Sequence, residues 1–425
     1  MTVSFEPRSA GKQAGRRDTR ATTRSGDNTL GRRFLLEGAY ISEPLFQQDR
    51  NNLLAHRGRT PNRWRPIGWD SLYTPFADSS SLVAVVQVVA TLLLFLFAIR
   101  LLGSTTEALT PVLRRSLDRI VVSDLSALGL GWFASYVLAN GSLVAALSVS
   151  LFSSGLIAPS ELFLMVVGSR LGGAAVVVFI GVFDYLNEEL DSVREALSLG
   201  LLTFLLTHSI YLPVTVVGYL SLPVLPIEGA VDRQPADLDD GVLRIVSVLT
   251  DGIVDVLGPG VAFLLAVGCI ALSLRLFDHT LDGIDTDWLR QRYLVELGDK
   301  WVSFTVGLLV TGVTTSVAFS LGVVVPLYNR GHIKTTEIIP FVLGANIGTL
   351  VDTLIVAVAL DTPVGVRTVL AIVGLSTLVS LLPLLFYTPY RSLITGIQAE
   401  IMRSVGLFIG VLLSLLVVPV ALFVL

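Results

Sequence analysis

The chain has 425 residues, 52% of them hydrophobic and only 15% charged, with a mean hydropathy of +0.73. Soluble globular chains carry about 25% charged residues, so the composition excludes an ordinary cytosolic enzyme. Long runs of Leu, Val, Ile, Ala and Gly, with aromatics at 8%, favour membrane-spanning helices over an alternating β-barrel. Four His and one Cys leave little material for a metal cluster, and a lone Cys269 makes no intramolecular disulfide. The formal charge of −4 hides an asymmetry: residues 1–80 hold 13 Lys or Arg against 8 Asp or Glu. A basic tail on an acidic apolar body is a membrane arrangement, and the positive-inside tendency predicts a cytoplasmic tail on a multi-pass protein of the plasma membrane.

Residues 1–80 show neither a helical nor a strand period and lack the apolar core of a signal peptide, so they read as a mostly disordered tail. An arm lying on anionic headgroups, with Trp64, Trp69 and Tyr73 near the interface, is the alternative. The apolar run 82–102, whose one charge is Arg100, matches the bilayer thickness. Further apolar segments follow at 126–157, 161–183, 196–222, 259–277, 302–328, 337–360, 365–388 and 403–425. Polar stretches at 104–125, 184–195, 228–241 and 278–300 separate them, giving about eight to ten membrane segments. The stretch 242–257, interrupted by Arg244, Asp251 and Asp255, reads as an amphipathic helix, and Gly258-Pro259-Gly260 breaks the chain behind it.

An internal repeat organises these segments. A shift of 176 lays residues 155–172 on 331–348 without a gap, with six of eighteen positions identical: Gly155/Gly331, Ile157/Ile333, Glu161/Glu337, Val166/Val342, Gly168/Gly344 and Gly172/Gly348. Gly131/Gly307 extends the match, and a shift of 175 adds Arg100/Arg275, Leu101/Leu276 and Thr105/Thr280. The predicted organisation is therefore a first transmembrane repeat at 81–222, a polar link with an amphipathic segment at 223–258, a second repeat at 259–392 and an additional helix at 393–425. Paired halves with interrupted helices are the construction of many secondary transporters, whose site lies between the halves near mid-depth.

In each half the second apolar segment is interrupted by small polar residues: Ser135, Asn140, Gly141 and Ser142 in one, Thr311, Gly312, Thr314, Thr315 and Ser316 in the other. Two half-helices meeting there would offer N–H ends to an anion, and hydroxyls and carbonyls to a small cation. The plainer alternative is that the hydroxyls bond back to helix carbonyls and merely bend the chain. The frames Gly168-Ser169-Arg170-Leu171-Gly172 and Gly344-Ala345-Asn346-Ile347-Gly348-Thr349 suit close helix packing, but packing does not explain Arg170 or Asn346 between the glycines. An intramembrane Arg needs a partner, such as Glu161 or Asp184, or an anionic substrate. Glu161 and Glu337 open their spans and complement helix N-termini. Asp352, inside an apolar stretch, is a candidate cation ligand or proton carrier, and His208 either titrates in a relay or bonds a neighbouring carbonyl. No HExxH, GxSxG or Walker pattern is present, so the chain reads as a non-enzyme without a cofactor, and nucleic-acid binding has only the basic tail behind it.

Residues 94–120, the Gly-Leu-Ile turn at 155–157 and above all 344–349, which reads GANIGT, resemble the sodium/phosphate cotransporter family (type II-related) over about 90–390. The resemblance implies an all-α integral membrane fold of two inverted repeats with re-entrant, broken helical hairpins. It also implies a QSSS motif in each hairpin tip that binds phosphate and sodium. At that spacing this chain has Ala139-Asn140-Gly141-Ser142 and Thr315-Ser316-Val317-Ala318, so the motifs are degenerate, and the first GANIGT is altered to GSRLGG. The implied function is secondary active transport: sodium-coupled symport of phosphate or a related inorganic anion across the lipid bilayer, with sodium as coupling ion. The substrate and ion would meet Asn140, Ser142, Arg170, Thr314, Thr315, Ser316, Asn346, Thr349 and Asp352. A non-transporting scaffold or regulatory homologue, transport of a different anion, and a homodimeric assembly stay open on the sequence.

Overall fold

The computed structural model describes residues 81–187, 190–224, 241–282, 299–315 and 335–424. The tail at 1–80, Ser316 and the Gly331 turn lie outside the described residues. Among these residues there are thirteen α-helices and no strand: α1 Ser81–Ile120, α2 Asp124–Val137, α3 Gly141–Ser153, α4 Pro159–Asn187, α5 Leu190–Ser221, α6 Gly241–Leu257, α7 Pro259–Asp282, α8 Lys300–Thr314, α9 Thr335–Gly348, α10 Leu350–Ala359, α11 Pro363–Leu385, α12 Tyr387–Arg403 and α13 Val405–Val424. In a bilayer every backbone polar group must be satisfied within its own segment or a closed sheet, and the described residues take the helical solution. The chain is an all-α integral membrane protein.

Among the described residues seven helices, counting α9 and α10 as one, are long and apolar enough to cross a membrane. The expected eight to ten membrane segments include, besides these seven, the two shorter apolar helices α3 and α8. The apolar stretch 126–157 is not one span: it divides into α2 and α3, of 14 and 13 residues. At 1.5 Å per residue each is about 20 Å long, too short for a hydrocarbon core of about 30 Å. The polar stretch 104–125 is likewise no link, because α1 continues unbroken through 40 residues to Ile120. Its hydroxyls satisfy themselves on carbonyls of the preceding turn, Thr105 Oγ1 on Leu101 O at 2.8 Å and Thr106 Oγ1 on Leu102 O at 2.7 Å, so polarity does not end the helix. The whole helix is about 60 Å long, and its far end is held by Arg114, whose Nη2 donates to Gly155 O at 3.2 Å.

The sequence repeat is also a repeat of local structure. Helices α2 and α8 begin 176 residues apart, each behind a capping side chain. Ser123 Oγ accepts from Ser126 N at 3.1 Å, and Asp299 Oδ1 accepts from Trp301 N at 2.7 Å. Such caps satisfy amide groups that a helix start leaves without partners. Helices α4 and α9 begin at Pro159 and Thr335, again 176 apart. The glycines explain how tightly they cross. A methyl at Gly131 would lie 2.3 Å from Met165 O, and at Gly307 2.1 Å from Phe341 O. At Gly168 it would meet Leu128 O at 2.4 Å, and at Gly344 Phe304 O at 2.0 Å. Gly172 and Gly348 meet the carbonyls of Trp132 and Leu308 in the same register, at 2.4 and 2.6 Å. Every one of these partners is also displaced by 176, so the α2–α4 and α8–α9 crossings are built alike.

Burial places α4, α5 and the α9–α10 helix at the centre, while α13 is almost wholly on the outside. α13 packs along α2: Tyr136 Oη donates to Leu415 O at 2.8 Å and Phe133 stacks on Phe423. The amphipathic segment is α6, which lies against α1 with Ser104 Oγ donating to Asp251 Oδ1 at 2.9 Å. Gly258, at φ +75°, turns the chain from α6 into α7, where Pro259 occupies the first helical position.

Candidate anion site between the two halves

The turn between α2 and α3 and the end of α8 fall at equivalent residues. Ala139 has φ +48° and Thr315 φ +51°, a left-handed conformation that costs a residue bearing a Cβ on the order of 1 kcal/mol. The two positions are again 176 apart, and neither is glycine. α2 ends at Val137, the chain turns, and Asn140 opens α3 by accepting Leu143 N on Oδ1 at 3.0 Å. α8 ends at Thr314 with Thr315 as its cap. At the start of α3, Gly141 lies so close to α4 that a Cβ would sit 2.5 Å from Ser169 O. That approach brings the residue after Gly141 to the residue after Ser169: Arg170 Nη1 donates to Ser142 Oγ at 3.5 Å.

Arg170 finds its acid in the other half. Its Nη2 donates to Asp352 Oδ1 at 2.8 Å and to Thr353 Oγ1 at 2.5 Å, joining α4 to α10. The expected partner Glu161 is used elsewhere, its Oε2 accepting Ala158 N at 2.6 Å, and the side chain of Asp184 lies outside the described residues. Glu161 sits at the start of α4 and Arg170 two and a half turns on, so one helix cannot bring them together. Asp352 Oδ1 also accepts from Thr353 N and, at 2.8 Å, from Thr353 Oγ1. Arg170 and Asp352 are 8% and 2% exposed, the two fully charged side chains buried among the described residues. A buried pair of this kind is neutral as a unit, which is what allows either member to sit inside a membrane.

Beside the pair, α5 carries Thr207 and Tyr211 one helical turn apart on one face. Thr207 Oγ1 donates to Asn346 Oδ1 at 2.9 Å, and Tyr211 Oη donates to Asn346 O at 2.7 Å. Asn346 Nδ2 donates to Val342 O at 2.8 Å, and Thr349 Oγ1 to Asn346 O at 2.8 Å. Tyr211, fully buried, lies within the electrostatic reach of both Arg170 and Asp352. The structure therefore gathers Ser142, Arg170 and Asp352 into one cluster, with Asn346 and Thr349 joined to it through Tyr211. Asn140 turns its side chain to its own helix, and Thr314 Oγ1 donates back to Val310 O at 2.7 Å. Ser316 is outside the described residues. Thr353, Thr207 and Tyr211 were not expected: Thr353 could have been found as the hydroxyl beside an intramembrane Asp, whereas nothing local distinguishes Thr207 or Tyr211. His208 bonds a carbonyl of its own helix, Nδ1 to Phe204 O at 3.0 Å, and packs against Trp132.

Among the described residues no three His, Cys, Asp or Glu side chains gather as a metal site. No curated protein and no solved structure matches the chain. Residues 270–412 match the family model described as Na+/Pi-cotransporter, a stretch that runs from within α7 to within α13 and holds Asn346, Thr349 and Asp352. The resemblance expected over about 90–390 is matched over residues 270–412, and the two halves of the chain share their register of caps, breaks and glycines. Over residues 270–412 the chain is thus similar to the Na+/Pi-cotransporter family, which points to a transporter.

Proposed function

We propose that the chain is a secondary active transporter that carries phosphate, or a related inorganic anion, by symport with sodium across the plasma membrane. In this reading the halves 81–222 and 259–392 are inverted repeats, the broken hairpins are re-entrant, and the tail at 1–80 is cytoplasmic. The observation that carries it is the buried guanidinium of Arg170, held between the halves beside the α3 break and Ser142. An anion inside a membrane needs fixed positive charge and donors already in place, because desolvation is otherwise prohibitive. Ser142 supplies a hydroxyl beside that charge, Asn346, Thr349 and Tyr211 form a hydrogen-bonded group on neighbouring helices, and Thr315 caps the end of α8. Arg170 stands where the second half has Asn346, so part of the positive charge is built into the chain, and sodium dependence is expected to be weak.

Uptake of labelled phosphate into proteoliposomes, with and without an inward sodium gradient, tests the reading. The expected result is uptake above protein-free vesicles in both conditions and a modest increase with sodium. Background uptake in both, for phosphate and for sulfate, refutes it.

A further inference from the structure

We propose that Asp352 takes up a proton when an oxyanion binds at Arg170, so that the buried pair is a proton-linked anion site. The inference rests on the anion-transport reading above and adds to it a proton whose uptake does not depend on sodium. Its basis is an unequal use of the two charged groups. Asp352 Oδ1 receives Arg170 Nη2, Thr353 N and Thr353 Oγ1, while its Oδ2 is buried without a hydrogen-bond partner. Arg170 Nε is buried without an acceptor in the same way. A buried polar atom left without a partner costs about 1–3 kcal/mol, more when charged, so two of them on one ion pair mark valences kept for ligands. Their chemistry is complementary: a guanidinium N–H takes an anion, and a carboxylate oxygen takes a proton.

Charge decides that the two events are linked. The pair alone is neutral, and an anion added at Arg170 leaves a net buried negative charge beside Asp352. Two like charges in a shared low-dielectric site do not both persist, and the carboxylate is the one that can be neutralised. The proton comes from water as the anion enters and returns to water when it leaves; while the anion is bound Arg170 offsets one of its charges, and the proton on Asp352 removes the carboxylate charge that would otherwise add to it. A proton needs one lone pair, whereas a metal cation needs a shell of oxygens.

Few other titratable groups reach Asp352. Arg170 of α4 and Tyr211 of α5 are within its field. Of the helices packed on α10, α3 has no titratable residue, α8 has only Lys300 and α9 only Glu337, each at its start, and α11 has only Arg367 near its start. α1 brings the half-buried Arg100, with Glu107, Arg114, Arg115, Asp118 and Arg119 further along.

The test is calorimetric binding of sulfate to the purified full chain between pH 6 and 8, in sodium and in choline, using buffers of different ionisation enthalpy. Sulfate does not titrate in this range. The expected result is uptake of about one proton per sulfate, with affinity rising about tenfold for each pH unit lowered. Asp352→Asn should bind sulfate with no proton uptake and a flat pH profile. For phosphate, which titrates here itself, the difference between wild type and Asp352→Asn is the readout. Where Asp352→Asn fails to fold, Arg170→Gln/Asp352→Asn, which leaves no buried charge, should bind sulfate at least tenfold more weakly and without proton uptake. Sulfate binding without proton uptake in choline, an unchanged pH slope in Asp352→Asn, or wild-type affinity in the double variant overturns the proposal. If phosphate uptake into proteoliposomes persists alongside such a result, only this inference falls; if neither uptake nor binding occurs, the transport reading falls with it.

Discussion

Alanine at Gly344 is the sharpest test of the repeated helix crossing. In a helix open to its surroundings, Gly→Ala stabilises by about 0.5–1 kcal/mol through backbone entropy. At Gly344 the added Cβ would lie 2.0 Å from Phe304 O and 2.8 Å from Leu308 N, and at Gly168 2.4 Å from Leu128 O and 3.0 Å from Trp132 N. These are backbone atoms of a neighbouring helix, so no side chain can swing aside. α8 and α9, or α2 and α4, must separate by on the order of 1 Å, and overpacking of this kind costs about 1–3 kcal/mol. The contrast is set by Gly374 in α11 and Gly410 in α13, where a Cβ meets nothing within 4 Å. Unfolding of the purified chain in mixed micelles should show Gly168→Ala and Gly344→Ala each destabilised, and Gly374→Ala and Gly410→Ala unchanged or slightly stabilised. If Gly344→Ala is as stable as Gly374→Ala, the close crossing is wrong. If Gly168→Ala and Gly344→Ala differ in sign, the structural repeat is wrong.

Two further outcomes follow from the same packing. The 2.8 Å pair of Arg170 and Asp352 attracts by about 6 kcal/mol at an effective dielectric of about 20, which is comparable to the cost of desolvating both ions. Arg170→Gln and Asp352→Asn should therefore each destabilise by about 3–5 kcal/mol in micellar unfolding, with the double variant returning to within about 1–2 kcal/mol of wild type; additive losses refute the pairing. Tyr136 Oη accepts from Trp132 Nε1 at 2.6 Å and donates to Leu415 O at 2.8 Å, so Tyr136→Phe should cost about 1–3 kcal/mol. It should also raise the protease sensitivity of α13, and an unchanged digestion pattern would show that this bond does not hold the last helix.

The local features were legible in the sequence because each is decided within one turn or one segment. Apolar runs of bilayer length, Gly258 before Pro259, and the small polar residues around Asn140 all act on their immediate neighbours. The periodic glycines carried the repeat because only glycine tolerates a carbonyl at the distances seen at Gly131, Gly307, Gly168 and Gly344. The polar stretch after Gly103 misled for an equally local reason: Thr and Ser can stop a helix or bond back to it, and composition does not say which. Tertiary structure alone decided the partner of Arg170. Asp352 lies 182 positions away on a helix of the other half, and only the fold brings the two within 2.8 Å. It also decided that α13 packs along α2, with Tyr136 bonded to Leu415 and Phe133 stacked on Phe423. Charge at a position can be read from a chain, but the compensation of that charge in a low dielectric is a matter of distance, and distance belongs to the fold.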